Sequence, residues 1–443
     1  MPADNDGDTI PKVAKFTDGR RNLRLDIILT ISASTIRTAR RRDQLREQTM
    51  TYLKSKLRSL AVSGLVLAAM PSLAHAQSAD EVGQRIKALL AAQGLQLSWS
   101  GIAEQGDGFV LQGVSASADG VDGSAPIGDI TLSDISQDGD VILVGDVTMP
   151  GYSRTEDGMT LSIDGISMTG LQLPEADASD PMNTLMIYAT ADIDRMSFSA
   201  GGQEVFSMSQ VHSDSSSADD GTLTFGAAVE EFFVNLAMVE DAQSKAVIDA
   251  LGYQTLKGYV EMSGTYNPQD GRMTIDEYNT SIAEAGTFGM TIDISGYTPQ
   301  FIQALREMQT QMAATEGQDQ SAQSMAMLGL MQQINLHGAS VRFDDDSLTN
   351  KVLSFVAAQQ GVQPADIKNQ AKAVLPFALA QVGDPALTAA VSAAVNTFLD
   401  NPESLEISVE PENPLPFALV AASAMTAPQA LPQQLGFGIT ANE

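Results

Sequence analysis

"LQGVS" at Leu111–Ser115, "LSDIS" at Leu132–Ser136, "VGDVT" at Val144–Thr148 and "IDGIS" at Ile163–Ser167 share one five-residue pattern. Each reads apolar, polar, Gly or Asp, apolar, Ser or Thr, and "IDRMS" at Ile193–Ser197 follows it loosely. The copies lie 12 to 30 residues apart. That irregularity excludes the fixed period of a propeller or an ankyrin array. Two readings stand: successive strands of one long, curved sheet, or the ordinary vocabulary of antiparallel strands. Around and between the copies stand Asp107-Gly108, Asp119-Gly120, Asp122-Gly123, Asp138-Gly139, Asp157-Gly158 and Gly201-Gly202. Asp and Gly accept the positive φ of tight hairpins, so the pattern predicts an antiparallel meander.

Outward from this block the periodicity changes. Upstream, Val82, Ile86, Leu89 and Leu90 recur at helical spacing within 79–93, and Gly94 follows as a stop. Downstream, 230–251 reads as helical, 257–265 and 272–281 as a hairpin, and 287–295 as a strand. In that strand Phe288, Met290, Ile292 and Ile294 share one face, which helices or a ligand must cover. Pro299 opens a helix to Met312, a second helix spans 324–334, and 339–343 is a strand. The last hundred residues are mainly helical. Asp346 or Ser347 is placed to cap a helix over 348–360, Pro376 to kink or divide one that starts at Pro364, and Asp384 to cap the next. A half-exposed strand follows at 405–409, then two short helices and a closing strand.

The fold class is therefore α+β: a long curved antiparallel meander with helices packed on it and a mainly helical C-terminal region. The expected divisions are 1–49 as a mis-annotated or disordered extension, 50–76 as a signal peptide, 77–225 as the β-meander, 226–343 as mixed hairpin and Met-bearing helices, and 344–443 as the helical region with short closing strands.

The signal peptide rests on "MTYLKSKLRSLAVSGLVLAAMPSLAHAQSADE", Met50–Glu81. Lys54, Lys56 and Arg58 precede an uncharged run from Leu60 to Met70, Pro71 breaks it, and Ala74 and Ala76 place small residues where a signal peptidase reads. The run has 11 residues, against about 20 needed to span a bilayer. Export from a start at Met50, with cleavage between Ala76 and Gln77, predicts a periplasmic or secreted protein with no transmembrane anchor. The chain has no Cys, hence neither a disulfide framework nor a lipidated cysteine.

Residues 77–443 hold 12 of the 25 Lys and Arg and 48 of the 55 Asp and Glu, a net charge of −36. Such a surface repels phosphate backbones and anionic headgroups, so nucleic acid is excluded as a partner. Solubility or adaptation to salt is the expected reason for the acidity; a basic protein partner or bound cations is the sharper alternative.

Catalytic and metal chemistry is poorly provided for. After Ala76 only His212 and His337 remain, neither with a second His or Cys at ligand spacing, so no metal site is expected. His212 reads as solvated and His337 as lying at a helix end. There is no Gly-x-Ser-x-Gly elbow, no Ser-x-x-Lys, and no phosphate-binding glycine loop. Asp344-Asp345-Asp346 and Asp219-Asp220 lack the alternating ligand spacing of a calcium loop. No catalytic residue and no cofactor is assigned. The compositional surplus is methionine, 20 in all. Met308, Met312, Met325 and Met331 are the candidate hydrophobic-ligand surface, since flexible thioethers suit irregular apolar contacts; packing of helices onto the sheet is the alternative.

Three stretches carry a resemblance: the opening "GDGFVLQGVSA…IGDITLSDI", the hairpin "GTYNPQDGRMTIDEY" and the ending "NPLPFALVAASAMTAPQALPQQLGFGITAN". Together they resemble uncharacterised secreted proteins of alphaproteobacteria, nearest the domain of unknown function 2125 family. More remotely, the strand repeat is similar to AsmA-like envelope proteins, which build long lipid-lined β-grooves. The resemblance implies a role in the cell envelope and transfers no catalytic residue. The expected function is a non-enzymatic periplasmic protein presenting an apolar groove to a lipid-like or other hydrophobic ligand, or to an envelope protein. The alternatives are an acidic scaffold for a basic protein partner and an envelope hydrolase.

Overall fold

A computed structural model describes residues 73–118, 124–175, 186–314, 320–380 and 383–443. The described residues of 73–116 and 125–443 form one compact unit. Most of the expected leader, 50–72, lies outside the described residues.

Among the described residues, seventeen strands make one antiparallel sheet. They are β1 (Leu95–Ser98), β2 (Gly101–Gln105), β3 (Gly108–Ala118), β4 (Ala125–Asp138), β5 (Val141–Met149), β6 (Tyr152–Glu156), β7 (Met159–Leu173), β8 (Thr190–Ala200) and β9 (Gln203–Ser217). Then come β10 (Leu223–Asn235), β11 (Thr255–Asn267), β12 (Arg272–Ile282), β13 (Gly286–Ser295), β14 (Asn335–Asp345), β15 (Ser404–Val409), β16 (Leu415–Pro416) and β17 (Phe437–Ala441). From β2 to β5 each strand pairs with the next; β5 pairs with β7, and pairing then runs in order from β7 to β15, which pairs with β17. Beside this line β1 pairs with β3, β6 with β7 and β16 with β14.

The five-residue pattern has a backbone cause. Its third residue is left-handed at Gly113 (φ 59°), Asp134 (φ 52°) and Gly165 (φ 49°). Side chains alternate along a strand, so apolar residues three apart would point to opposite faces. A left-handed residue between them inserts a bulge and returns the second to the first one's face. Leu111 and Val114 are accordingly both in the core, 1% and 0% exposed. Leu132 pairs with Val147 and Ile135 with Val144, one bulged triplet laid on another. Gly145 faces Asp134 across that step, and a Cβ there would sit 2.6 Å from the Asp134 Cβ. The line continues across the sheet: Gln210 (φ 51°) lies between Met208 and Val211, and the register slips between Val229 and Phe232.

Helix α1 (Leu73–Ala92) lies over the first strands. Val82, Ile86 and Leu89 pack with Leu111, Leu132, Val144, Leu171 and Leu173 to form the main core. Arg85 is buried among them, donating to the carbonyls of Asp140 and Leu173 and to Glu81 Oε1, so its charge is matched as burial requires. The α1 helix ends at Ala92, whose carbonyl accepts a 2.6 Å hydrogen bond from Arg306 on α3 (Pro299–Ala314). Measured along a flat sheet, nine strand spacings from β3 to β13 would span about 40 Å. That hydrogen bond brings the C-terminal end of α1 and α3 closer than a flat sheet would, so the sheet curls.

The remaining helices are α2 (Ala242–Leu251), α4 (Gln320–Met331), α5 (Leu348–Gln360), α6 (Pro364–Leu379), α7 (Pro385–Asp400), α8 (Phe417–Thr426) and the one-turn α9 (Leu431–Gln434). Several local readings need correction. The segment 230–251 is not helical throughout: β10 runs to Asn235, and α2 starts only at Ala242, capped by Asp241, whose side chain accepts from Ser244 N. The strand wins because Phe232, Phe233 and Val234 pair on both sides, with β9 and with β11. Neither Asp346 nor Ser347 supplies the side-chain cap of α5; the Asp345 carboxylate takes the Thr349 N–H at 2.7 Å. Of the two outcomes open to Pro376, division is excluded, since α6 continues three residues past it. His337 sits within β14 rather than at a helix end, its Nε2 2.8 Å from Ser295 Oγ. Asp384 caps α7 as expected, accepting from the N–H groups of Ala386 and Leu387.

Candidate functional site: an open apolar sheet face

Cross-strand register puts apolar residues in rows along one face. Residues directly opposite in an antiparallel pair share a face. One row runs from Ile166 through Ile193, Val211, Val229 and Val260 to Thr280, Phe288, Phe343 and Leu405. A parallel row joins Ile163, Met196, Met208 and Phe232, and another joins Leu161, Phe198, Phe206 and Val234.

The covers over this face are discontinuous. Under α1 it is dry. At the other end α3 covers it where Tyr297 stacks edge-on to Tyr266 (6.5 Å) and packs on Phe301 (5.6 Å). Helix α7 covers a further part, where Phe398 meets Phe343 edge-on at 6.5 Å. Between these covers the face is open among the described residues. Among the described residues no apolar side chain between Leu173 and Tyr253 is buried, although β8, β9 and β10 all lie in that interval. Phe288, Val341 and Ile407 are about two-fifths exposed, Val341 and Ile407 being direct cross-strand partners.

The opposite face is polar and internally paired. Hydroxyls meet across strands at Thr169–Thr190 (2.7 Å), Thr265–Thr274 (2.8 Å) and Thr291–Ser340 (2.9 Å). Ion pairs link Arg195 to Glu204 (2.6 Å), Arg272 to Asp293 (2.7 Å), and Arg342 to Asp344 and Glu406. Burial raises the Glu204 carboxyl pKa, but hydrogen bonds from Arg195 and Ser207 outweigh it and hold the group low. His212 lies here, its Nδ1 2.6 Å from Asp192 Oδ1; that hydrogen bond lifts the imidazole above its usual value against slight desolvation. Among the described residues no three His, Asp or Glu side chains converge to hold a metal.

The methionines singled out in the sequence do not share one environment. Met308 on α3 is buried, Met331 at the end of α4 is half-buried, and Met325 on α4 is 74% exposed. The side chain of Met312 lies outside the described residues. Ala74, Ala76 and Gln77 fall in the first turns of α1, and their side chains are likewise undescribed. The sequence picked out one strand of this face, Phe288 to Ile294, but not its extension over β8–β10, whose residues sit in no continuous apolar run. They are single positions on many strands, and only the register assembles them. Over those strands the bulge pattern was its local trace.

A cleft of about 520 Å³ lies between α6 and α7, lined by Pro376, Ala380, Gly383, Asp384, Pro385, Thr388, Ala389 and Ser392. It is a separate feature of the C-terminal helices. No helix among the described residues is long and apolar enough to cross a membrane.

Comparison with known proteins adds little chemistry. A family model described as "Uncharacterized protein" matches residues 279–442. The match covers β13 to β17 with their helices, the end of the chain opposite the strand repeat. No curated protein matches the sequence.

Proposed function

We propose that this is a non-enzymatic protein of the cell envelope that carries a lipid-like ligand against its open apolar face. One observation carries the reading: three long central strands present an apolar face on which nothing is buried among the described residues. Soluble proteins rarely leave a contiguous apolar surface of more than a few hundred Å² without a use for it. The sheet's curl supports a gutter shape, and a gutter suits an acyl chain better than a flat protein partner. The basic, apolar and small-residue segments of 50–76 support export to the periplasm. The resemblance to the domain of unknown function 2125 family and to AsmA-like envelope proteins points the same way.

The test is uptake of N-phenylnaphthylamine, an uncharged fluorophore that brightens in apolar surroundings. The purified protein should raise its emission, monomeric lysophosphatidylcholine should compete, and Met208→Lys should abolish uptake with the fold intact. No uptake by the folded wild-type protein would refute the proposal.

A further inference from the structure

Two helices at one end of the open face share an unusual property. Residues 320–341, which include α4, contain no Asp, Glu, Lys or Arg, and neither do residues 413–442, which include α8. At the chain's 18% charged residues, the second stretch alone would hold about five. The helices pack beside each other. They are also tied to the same strand end: Leu415 pairs with Leu336, and the Phe417 N–H donates to the Ile334 carbonyl at 3.0 Å. Leu336 in turn pairs with Ile294, so the helix pair is continuous with the apolar rows of the sheet.

Outward, the pair exposes Met325 (74%), Leu328 (43%), Leu419 (49%) and Met425 (86%). Helices of 12 and 10 residues are about 15–18 Å long, and side by side at about 10 Å they present roughly 300 Å². That lies at the lower end of the range of the largest apolar patch on a monomer, a patch that is often functional. We propose that the α4–α8 pair docks on the surface of a zwitterionic phospholipid bilayer, from which the open face takes its acyl chain. The proposal rests on the lipid-carrier reading above and names the source of the ligand.

The charge pattern selects this occupant. Interfacial helices that bind anionic membranes display Lys and Arg on their polar side. This pair displays none, and the 48 acidic residues of 77–443 would be repelled by anionic headgroups. A basic protein partner would find no carboxylate on either helix. What remains is insertion of apolar side chains beneath headgroups with no net charge, and exposed Met and Leu supply that.

The test is flotation of the protein with phosphatidylcholine vesicles, compared with the double variant Met325→Gln/Met425→Gln. Both side chains project from the fold, so the thermal midpoint and N-phenylnaphthylamine uptake should stay unchanged. Vesicle partitioning should fall at least tenfold, and adding phosphatidylglycerol at low salt should weaken wild-type binding. Equal partitioning of wild type and variant, or no wild-type binding to phosphatidylcholine, would overturn docking at this site. So would a wild-type dimer that the double variant dissolves, since the patch would then be an interface between copies. Loss of dye uptake in the wild type would instead refute the carrier reading, so the two failures are distinguishable.

Discussion

The same substitution made at two positions tests whether the central face is wet. Val144 is 0% exposed beneath α1, and Val211 lies on β9 between Ile193 and Val229, only partly buried. Valine to threonine keeps the branched shape and strand preference while exchanging a methyl for a hydroxyl. At Val144 the hydroxyl enters a packed apolar cluster. Burying it without a partner costs about 1–3 kcal/mol. At Val211 water reaches the site, and the cost should be below about 0.5 kcal/mol. Urea unfolding with an unchanged m-value gives both numbers directly. Phosphatidylcholine that fills the face should then enlarge the Val211→Thr penalty, because ligand binding stabilises the folded state by mass action. Equal costs of 1 kcal/mol or more at both positions, without ligand, would show that the face is covered and would refute the reasoning.

Gly145→Ala should destabilise by about 2 kcal/mol or more, because its Cβ would lie 2.6 Å from Asp134 Cβ; adding Asp134→Gly should recover part of the loss in the same urea titration. Asp384→Ala should cost about 1 kcal/mol, since its carboxylate accepts from two N–H groups at the start of α7; a smaller loss by thermal melting would mean the cap is dispensable. Tyr266 has its phenol pushed up to about 12 by burial and by neighbouring Tyr297. Its folded value exceeds its unfolded one, so its contribution is full below about pH 10 and is lost as pH rises toward 12. Tyr266→Phe should flatten that alkaline decline in stability, and an unaltered profile would remove Tyr266 as its cause.

What could be read in the sequence was whatever local chemistry decides. The meander followed from Asp-Gly turns, and Gly139, Gly158 and Gly201 all adopt positive φ. The α5 stop at Gly361 (φ 68°) and the Asp384 cap are likewise single-residue decisions. Errors came where distant partners decide. Segment 230–235 has an apolar spacing that suits a helix, but two neighbouring strands claim its backbone. The α5 cap moved to Asp345 because β14 delivers that residue at its final position. The candidate site was harder still. A methionine count cannot tell which side of a helix a neighbour covers, so Met308 and Met325 looked alike. Nor can it show that no described residue buries the apolar face over β8–β10, since that depends on where α1, α3 and α7 stop.

The acidity and the open face bear on each other. By register Asp192, Asp214, Glu231, Glu261, Glu277, Asp293 and Glu406 all lie on the polar side of the sheet. They are dispersed over many strands, and among the described residues they form no cluster that could hold a cation. A surface built to clasp one basic partner would concentrate its carboxylates; a dispersed field instead keeps copies of the chain apart. A protein with a bare apolar face needs that protection, because two such faces would otherwise associate. The acidic composition is therefore explained by the same feature that argues for a hydrophobic ligand, and it gives the basic-partner alternative no separate support. This account predicts that salt sufficient to screen the charges promotes self-association of the ligand-free protein, and that phosphatidylcholine bound on the face prevents it. Light scattering across a salt titration measures both. Salt-independent scattering, or association unaffected by lipid, would separate the acidity from the open face.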